Sequence, residues 1–288
     1  MRVANKTIYD TVTYNLSNCT QGLNQANEIV SSGKRINNLS DDPVGLTQAL
    51  NVKSAISNLE QMQRNISFGN SWLASSESAL THVQDVISEA KTLCIQMANA
   101  SIDSVQRVSA AGTVQNLFDE IISLANTNIA GSYIFSGSKT DTTPFSEDGT
   151  YNGNSNAFTV KIGKDATVQV GSDGGAIFGQ ILSTMGGLKA SLAADDPEGI
   201  QDAMSELDSH FDDISGKISD VGSKINRMDI KEKIFEDIIF ANTDRLSKIE
   251  DADLAEAIME LKARELAYQA ALSSSAKLMT LTLVNYMK

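Results

Sequence analysis

The chain has 288 residues, 41% apolar and 20% charged, with a formal charge of −13. That deficit of basic residues argues against nucleic acid or an anionic membrane as a partner, since both require clustered Lys and Arg. Two cysteines in this length build no disulfide framework, and no apolar run approaches membrane-spanning length.

Met1-Arg2-Val3-Ala4-Asn5-Lys6 lacks an apolar core, so no targeting peptide is expected. Tyr9, Val12, Leu16, Cys19, Leu23, Ala26 and Val30 then keep a three-four spacing, which predicts an amphipathic helix. Ser40-Asp41-Asp42-Pro43 supplies an acidic N-cap before a proline at the first helical position. From Val52 every seventh residue is apolar, through Leu59, Ile66, Leu73, Leu80, Ile87 and Cys94. Three residues after each lie Ala55, Met62, Gly69, Ser76, Val83, Ala90 and Met97, a second seam line of small or apolar residues. Trp72 flanks this seam and is expected to pack between helices. Val114, Leu117, Ile121 and Leu124 predict a helix over about 103–127.

Helical periodicity stops after that. Phe158, Val160 and Ile162 alternate, as do Val168 and Val170, around Gly163-Lys164-Asp165, which reads as a hairpin. Residues 141–179 are therefore expected to form a small β insert lying off the helical seams, mild in effect if removed. Ala194-Asp195-Asp196-Pro197 nearly duplicates the earlier cap and opens the strongest signal in the chain. Stepping four and three residues from Ile200 meets apolar side chains at thirteen of fifteen positions, ending at Ile249, with Glu232 and Asn242 the exceptions. An unbroken helix of that length runs about 75 Å. The apolar phase then slips across Glu250-Asp251-Ala252-Asp253, where Asp253 and Glu256 fit a capping box. Leu254, Ile258, Leu261, Tyr268, Leu272, Met279, Leu283 and Tyr286 resume the spacing, with polar gaps at Glu265 and Ser275. The fold expected is mainly α: an elongated antiparallel helical or coiled-coil rod carrying a small β-rich insert.

Charge divides the chain along similar lines. Residues 1–40 carry +2 and residues 254–288 carry +1, leaving −16 for 41–253. The nearly neutral, stripe-bearing ends look like surfaces meant to be covered, either by each other or by neighbouring subunits. The two cysteines are expected to be buried free thiols. No catalytic constellation emerges. His82 and His210, the two histidines, lack ligand or triad spacing, and Gly131–Thr140 has the wrong spacing for a phosphate loop. Ser31-Ser32-Gly33-Lys34 matches SxxK without its partner motifs, and Glu250–Asp253 lacks the pattern of a calcium loop. Neither an enzyme nor a cofactor or metal site is expected.

The junctions carry a resemblance. Ser31-Ser32-Gly33-Lys34-Arg35-Ile36-Asn37-Asn38-Leu39-Ser40-Asp41-Asp42-Pro43 closely resembles the N-terminal signature of the bacterial flagellin superfamily. So do Arg64-Asn65-Ile66, Trp72-Leu73 and Glu77-Ser78-Ala79-Leu80, while Ile249–Ala257 resembles the C-terminal signature. Pro43, the run from Leu124 through Tyr133–Phe145, and the Asn285-Tyr286-Met287-Lys288 end are similar to the hook-associated junction branch, type 3, rather than to filament flagellins.

The resemblance implies a secreted, extracellular structural part of the bacterial flagellum, stacked as a tier between hook and filament. Its implied partners are further copies of itself, the other hook-associated junction protein, flagellin and an export chaperone, with no nucleic acid or membrane. Residues 1–40 with 250–288 would form the terminal coiled-coil assembly segment and 41–140 with 180–249 a helical rod, with 141–179 as the insert. The assembly surface would be Tyr9, Val12, Leu16, Leu23, Val30, Leu254, Ile258, Leu261, Tyr268, Leu272, Met279, Leu283 and Tyr286, ordered as neighbours bury them. A short filament flagellin is one alternative. An intracellular coiled-coil scaffold, folded and dimeric through 200–249, is another.

Overall fold

Three-four apolar spacing and a scarcity of proline make helix the dominant structure. The computed structural model describes residues 2–99, 102–156 and 158–286, with side chains described for 6–99, 102–156 and 158–277. The helices are α1 (Arg2–Ser32), α2 (Pro43–Met97), α3 (Ser104–Ala125), α4 (Gly174–Ala193), α5 (Pro197–Glu250) and α6 (Leu254–Tyr286). Between α3 and α4 lie two antiparallel pairs, β1 (Asn128–Ile129) with β2 (Ser132–Tyr133) and β3 (Thr159–Lys161) with β4 (Thr167–Gln169). The chain divides into two compact units, one of Met1–Asn58 with Ile238–Lys288 and one of Leu59–Asp237.

Acidic side chains set where the helices begin. Asp42 accepts from the Gly45 N–H at 2.8 Å, Asp103 from Gln106 at 2.9 Å and Asp173 from Gly175 at 3.0 Å. Asp196 caps α5 through Glu198, and Asp253 caps α6 through Ala255 at 2.9 Å. Each such cap satisfies an otherwise unpaired N–H and stabilises its helix by about 1 kcal/mol. Pro43 and Pro197 occupy the first helical positions, where a missing N–H costs nothing.

The Leu59–Asp237 unit holds the main core. Its α2 and α5 portions run antiparallel: Asn70 donates to Asp229 at 2.9 Å, Gln84 to Ser215 at 2.6 Å, and Lys91 pairs with Asp208. Helix α3 packs on α4. The α5 seam is inward-facing throughout, with Ile200, Leu207, Ile214, Val221, Met228 and Phe235 buried and the other seam residues half-buried. The α2 seam matches its expected line from Leu59 onward, but Ala55 is exposed and Ile56 is turned inward instead. Cys94 is buried and Cys19 half-buried, both free thiols. Burial raises the Cys94 thiol to about 11, so it stays protonated and inert near neutrality.

The 141–179 segment departs from its expected off-seam placement. The β3–β4 hairpin forms as the alternation predicts, pairing Val160 with Val168. Its apolar face, Val160, Ile162, Val168 and Val170, is buried in the same core as the α2 and α5 seams. Asn65 on α2 donates to the Lys161 carbonyl at 3.0 Å. Trp72, 1% exposed, packs against Phe158 at 5.2 Å and Phe68 at 5.6 Å, so it joins α2 to the segment leading into the hairpin. Gly137 explains part of the glycine content here. Its φ is +70°, and an added Cβ would collide with the Asn154 carbonyl.

Arg107 fastens the far turns of this unit. It is 5% exposed, donates to the Met97 and Asn99 carbonyls at 2.9 and 3.1 Å, and pairs with Asp195. One guanidinium therefore satisfies the orphan carbonyls at the α2 C-terminus and ties them to the turn before α5. Replacing Arg107 with Met should destabilise the chain by about 2–3 kcal/mol, with half-exposed Asp195 limiting the electrostatic part. Denaturant titration checks this, and a loss below about 0.5 kcal/mol would show the clamp to be idle.

Candidate assembly surface

In the unit built from the chain ends, α1 packs along α6. Pairing within one chain, one of the two arrangements that the sequence allows, is therefore present. It uses Val12, Leu16, Cys19, Leu23 and Val30, all half-buried, together with buried Ala26. From α6 it uses buried Ala257 with half-buried Leu261, Tyr268, Ala271 and Ser275.

This pairing covers only one edge of the α6 stripe. Leu254 is 51% exposed, Ile258 48% and Leu272 41%, and Tyr9 on α1 is 59% exposed. Of the thirteen residues assigned to the surface, Val12, Leu16, Leu23, Val30, Leu261 and Tyr268 are thus brought together. Tyr9, Leu254, Ile258 and Leu272 remain uncovered. Met279, Leu283 and Tyr286 lie on helical backbone, but their side chains fall outside the described residues.

The helical ends meet at a joint that periodicity does not reveal. After α1, Gly33 adopts φ +71°, the left-handed conformation that suits glycine at a helix C-terminus. The chain then pairs with the α5–α6 link: the Arg35 N–H donates to the Glu250 carbonyl at 2.7 Å, and the Ala252 N–H to the Gly33 carbonyl at 2.9 Å. Arg35 also donates to the Ile249 carbonyl at 2.9 Å. Beneath this short bridge sits Glu250, 4% exposed. Lys34 donates to its Oε1, and Lys53 Nζ lies 2.8 Å from Oε1 and 2.7 Å from Oε2, with hydrogen-bond geometry to Oε1. Burial opposes ionisation of Glu250, but hydrogen bonds and charge from Lys34 and Lys53 win, and its carboxyl sits below the usual range. The hydrogen bond to Glu250 raises the Lys34 ammonium in turn. The slip in apolar phase just past Ile249 marks a break in the helix, but nothing in the spacing says that Lys34 and Lys53 meet Glu250 there.

Other motifs settle into structural roles. Lys34 of the SxxK match is committed to Glu250, and His82 is exposed beside Asp85. His210 Nε2 lies 3.0 Å from the Thr184 hydroxyl, which donates to Glu206 at 2.7 Å. Among the described residues, no group of three or more His, Cys, Asp or Glu could hold a metal, and no helix is long and apolar enough to cross a membrane.

The bacterial flagellin N-terminal helical region matches residues 3–140, which spans α1, α2, α3 and the β1–β2 pair. The flagellar hook-associated protein 3 of Escherichia coli is 25% identical, over 94% of this chain and 96% of its own length. Residues 3–140 thus carry the flagellin N-terminal helical region, and the whole chain is similar to a flagellar hook-associated protein. Other flagellar proteins match at similar levels: a flagellar filament core protein of Treponema maltophilum is 27% identical over 87% of this chain and 86% of its own. Flagellar hook-associated protein 3 of Legionella pneumophila shares the fold, with a TM-score of 0.63 at 19% identity, over 69% of this chain and 98% of that one. The mainly helical architecture with a small β region is thus shared with that protein.

Proposed function

We propose that this chain is a structural subunit of the flagellum, built into the tier that joins hook to filament, and that it has no enzymatic role. The observation that carries this reading is the end-to-end similarity to a hook-associated protein 3, which leaves no unmatched segment large enough for a separate catalytic domain. The uncovered apolar edge at Tyr9, Leu254, Ile258 and Leu272 supports an assembly role, because a subunit that worked alone would gain nothing from exposing it. Neighbouring copies and the flagellar parts on either side would bury that edge, outside the cell after export.

A strain lacking the protein should build normal hooks, bear no filaments and release flagellin into the medium. Electron microscopy of sheared flagella together with the culture supernatant checks this, and retained filaments would overturn the junction reading.

A second reading, a short filament flagellin, is favoured by the similarity to the Treponema filament core protein. A filament subunit adds to itself without limit through complementary end surfaces, whereas a junction subunit must meet a different partner on each side. Concentrated pure protein should therefore stop at short oligomers. Long fibres in negative stain would favour flagellin instead.

A further inference from the structure

We propose that Glu250 is a latch that holds the two terminal helices in a common register, closed while its carboxylate is ionised and opened by acid. The inference rests on the assembly reading of α1 and α6 and concerns the regulation of that surface.

The joint draws on three separate stretches of chain. Lys34 follows α1, Lys53 lies on α2 and Glu250 ends α5, so one carboxylate gathers segments up to 216 positions apart. Both lysines are about half-exposed, with side chains at 43% and 41%, whereas the Glu250 side chain is 6% exposed. Protonation would therefore leave the lysines free to turn to water, while Glu250 would stay buried with nothing to draw them back. The backbone bridge beside it, two hydrogen bonds from the Arg35 and Ala252 N–H groups, is too short to persist alone.

Charges of both signs surround the latch, with the cations of Lys34 and Lys53 nearest the carboxylate. Lys34 and Lys53 face Glu250, Asp251 lies near Lys34, and Arg35 is engaged by the Ile249 carbonyl and, at 3.7 Å, by Asp42. Because Glu250 is held below its usual value, its contribution is full above the unfolded carboxyl value of about 4.3 and fades as pH falls through the lower folded value. Lys34, raised by Glu250, contributes below about 10.4 and fades as pH climbs through its folded value. The latch is closed across the neutral range.

Amide hydrogen exchange of the full-length purified chain, corrected for intrinsic rates, tests this between pH 7 and 3. At pH 7, Glu250→Gln should lower protection across α1 and the described part of α6 by about tenfold, with α3 and α4 as the internal control. Wild type should approach the variant only as acid is added. The double variant Lys34→Met with Lys53→Met leaves Glu250 buried without its cations, so opening should move to higher pH by about one unit or more. Wild-type protection in Glu250→Gln at pH 7, identical acid responses in wild type and Glu250→Gln, or an unmoved transition in the double variant would each overturn the latch. These readouts use the isolated chain, so a latch that fails here and a junction assignment that fails in cells are separate results.

Discussion

Replacing Leu272 with Asp should abolish filament attachment in cells while leaving the isolated protein almost unchanged. Leu272 is 41% exposed and sits on the edge of the α6 stripe that α1 does not cover. A carboxylate at that point stays hydrated in the free chain, so the stability change should be within about 0.5 kcal/mol. In an assembly that buries the edge, the same carboxylate would be stripped of water with no cation prepared for it, a penalty of several kcal/mol. Circular dichroism and thermal unfolding of the purified variant, beside swarming and microscopy of cells carrying it, separate the two states. Leu272→Ala makes a useful partner, because it removes area without adding charge and should weaken attachment far less. Normal motility in the aspartate variant would remove this stripe from the assembly surface.

Much of the fold was legible because coiled-coil seams advertise themselves. Thirteen apolar positions of α5 were readable by spacing alone, and none of them is exposed. The same holds for Val52 through Cys94 on α2, where every heptad position is buried except half-buried Leu59. The slip at Ala55, where Ile56 turns inward, shows the limit: where two neighbouring positions are both apolar, a heptad count cannot choose between them. Helix α4 was harder. It opens with Gly174-Gly175 and carries Gly179, Gly186 and Gly187, a composition that reads as a loop boundary. Packing overrides propensity there, because Phe178, Ile181, Leu182, Met185, Leu188 and Leu192 are all buried. At the candidate surface, the sequence identified a stripe but not which edge a neighbour inside the chain would take. That depends on the α1–α6 pairing, which no local period encodes. The Glu250 joint was invisible for a similar reason: its three charges are far apart in sequence and become a site only through the fold.

Excising 141–173 and bridging the gap with a short glycine linker should unfold the Leu59–Asp237 unit. Sequence alone places 141–179 off the seams and makes its loss mild, but the packing of 141–173 reverses that expectation. Phe145, Val160, Ile162, Val168 and Val170 are buried in the core shared with α2, α3 and α5, and Trp72 rests on Phe158. Burying each large apolar side chain contributes about 1.5–3 kcal/mol. Removing five of them, with new exposure of the α2 surface that they cover, reaches the whole stability of a typical domain, about 5–15 kcal/mol. Asp173 would go as well, and with it the cap of α4. Ile162→Ala is the graded version. It should cost about 2–5 kcal/mol and lower the melting temperature without altering the fold. Scanning calorimetry reads both, with near-ultraviolet circular dichroism reporting Trp72. A cooperative, wild-type-like melt in the excised chain would mean that the hairpin only decorates the helices, and the core would then have to close without it.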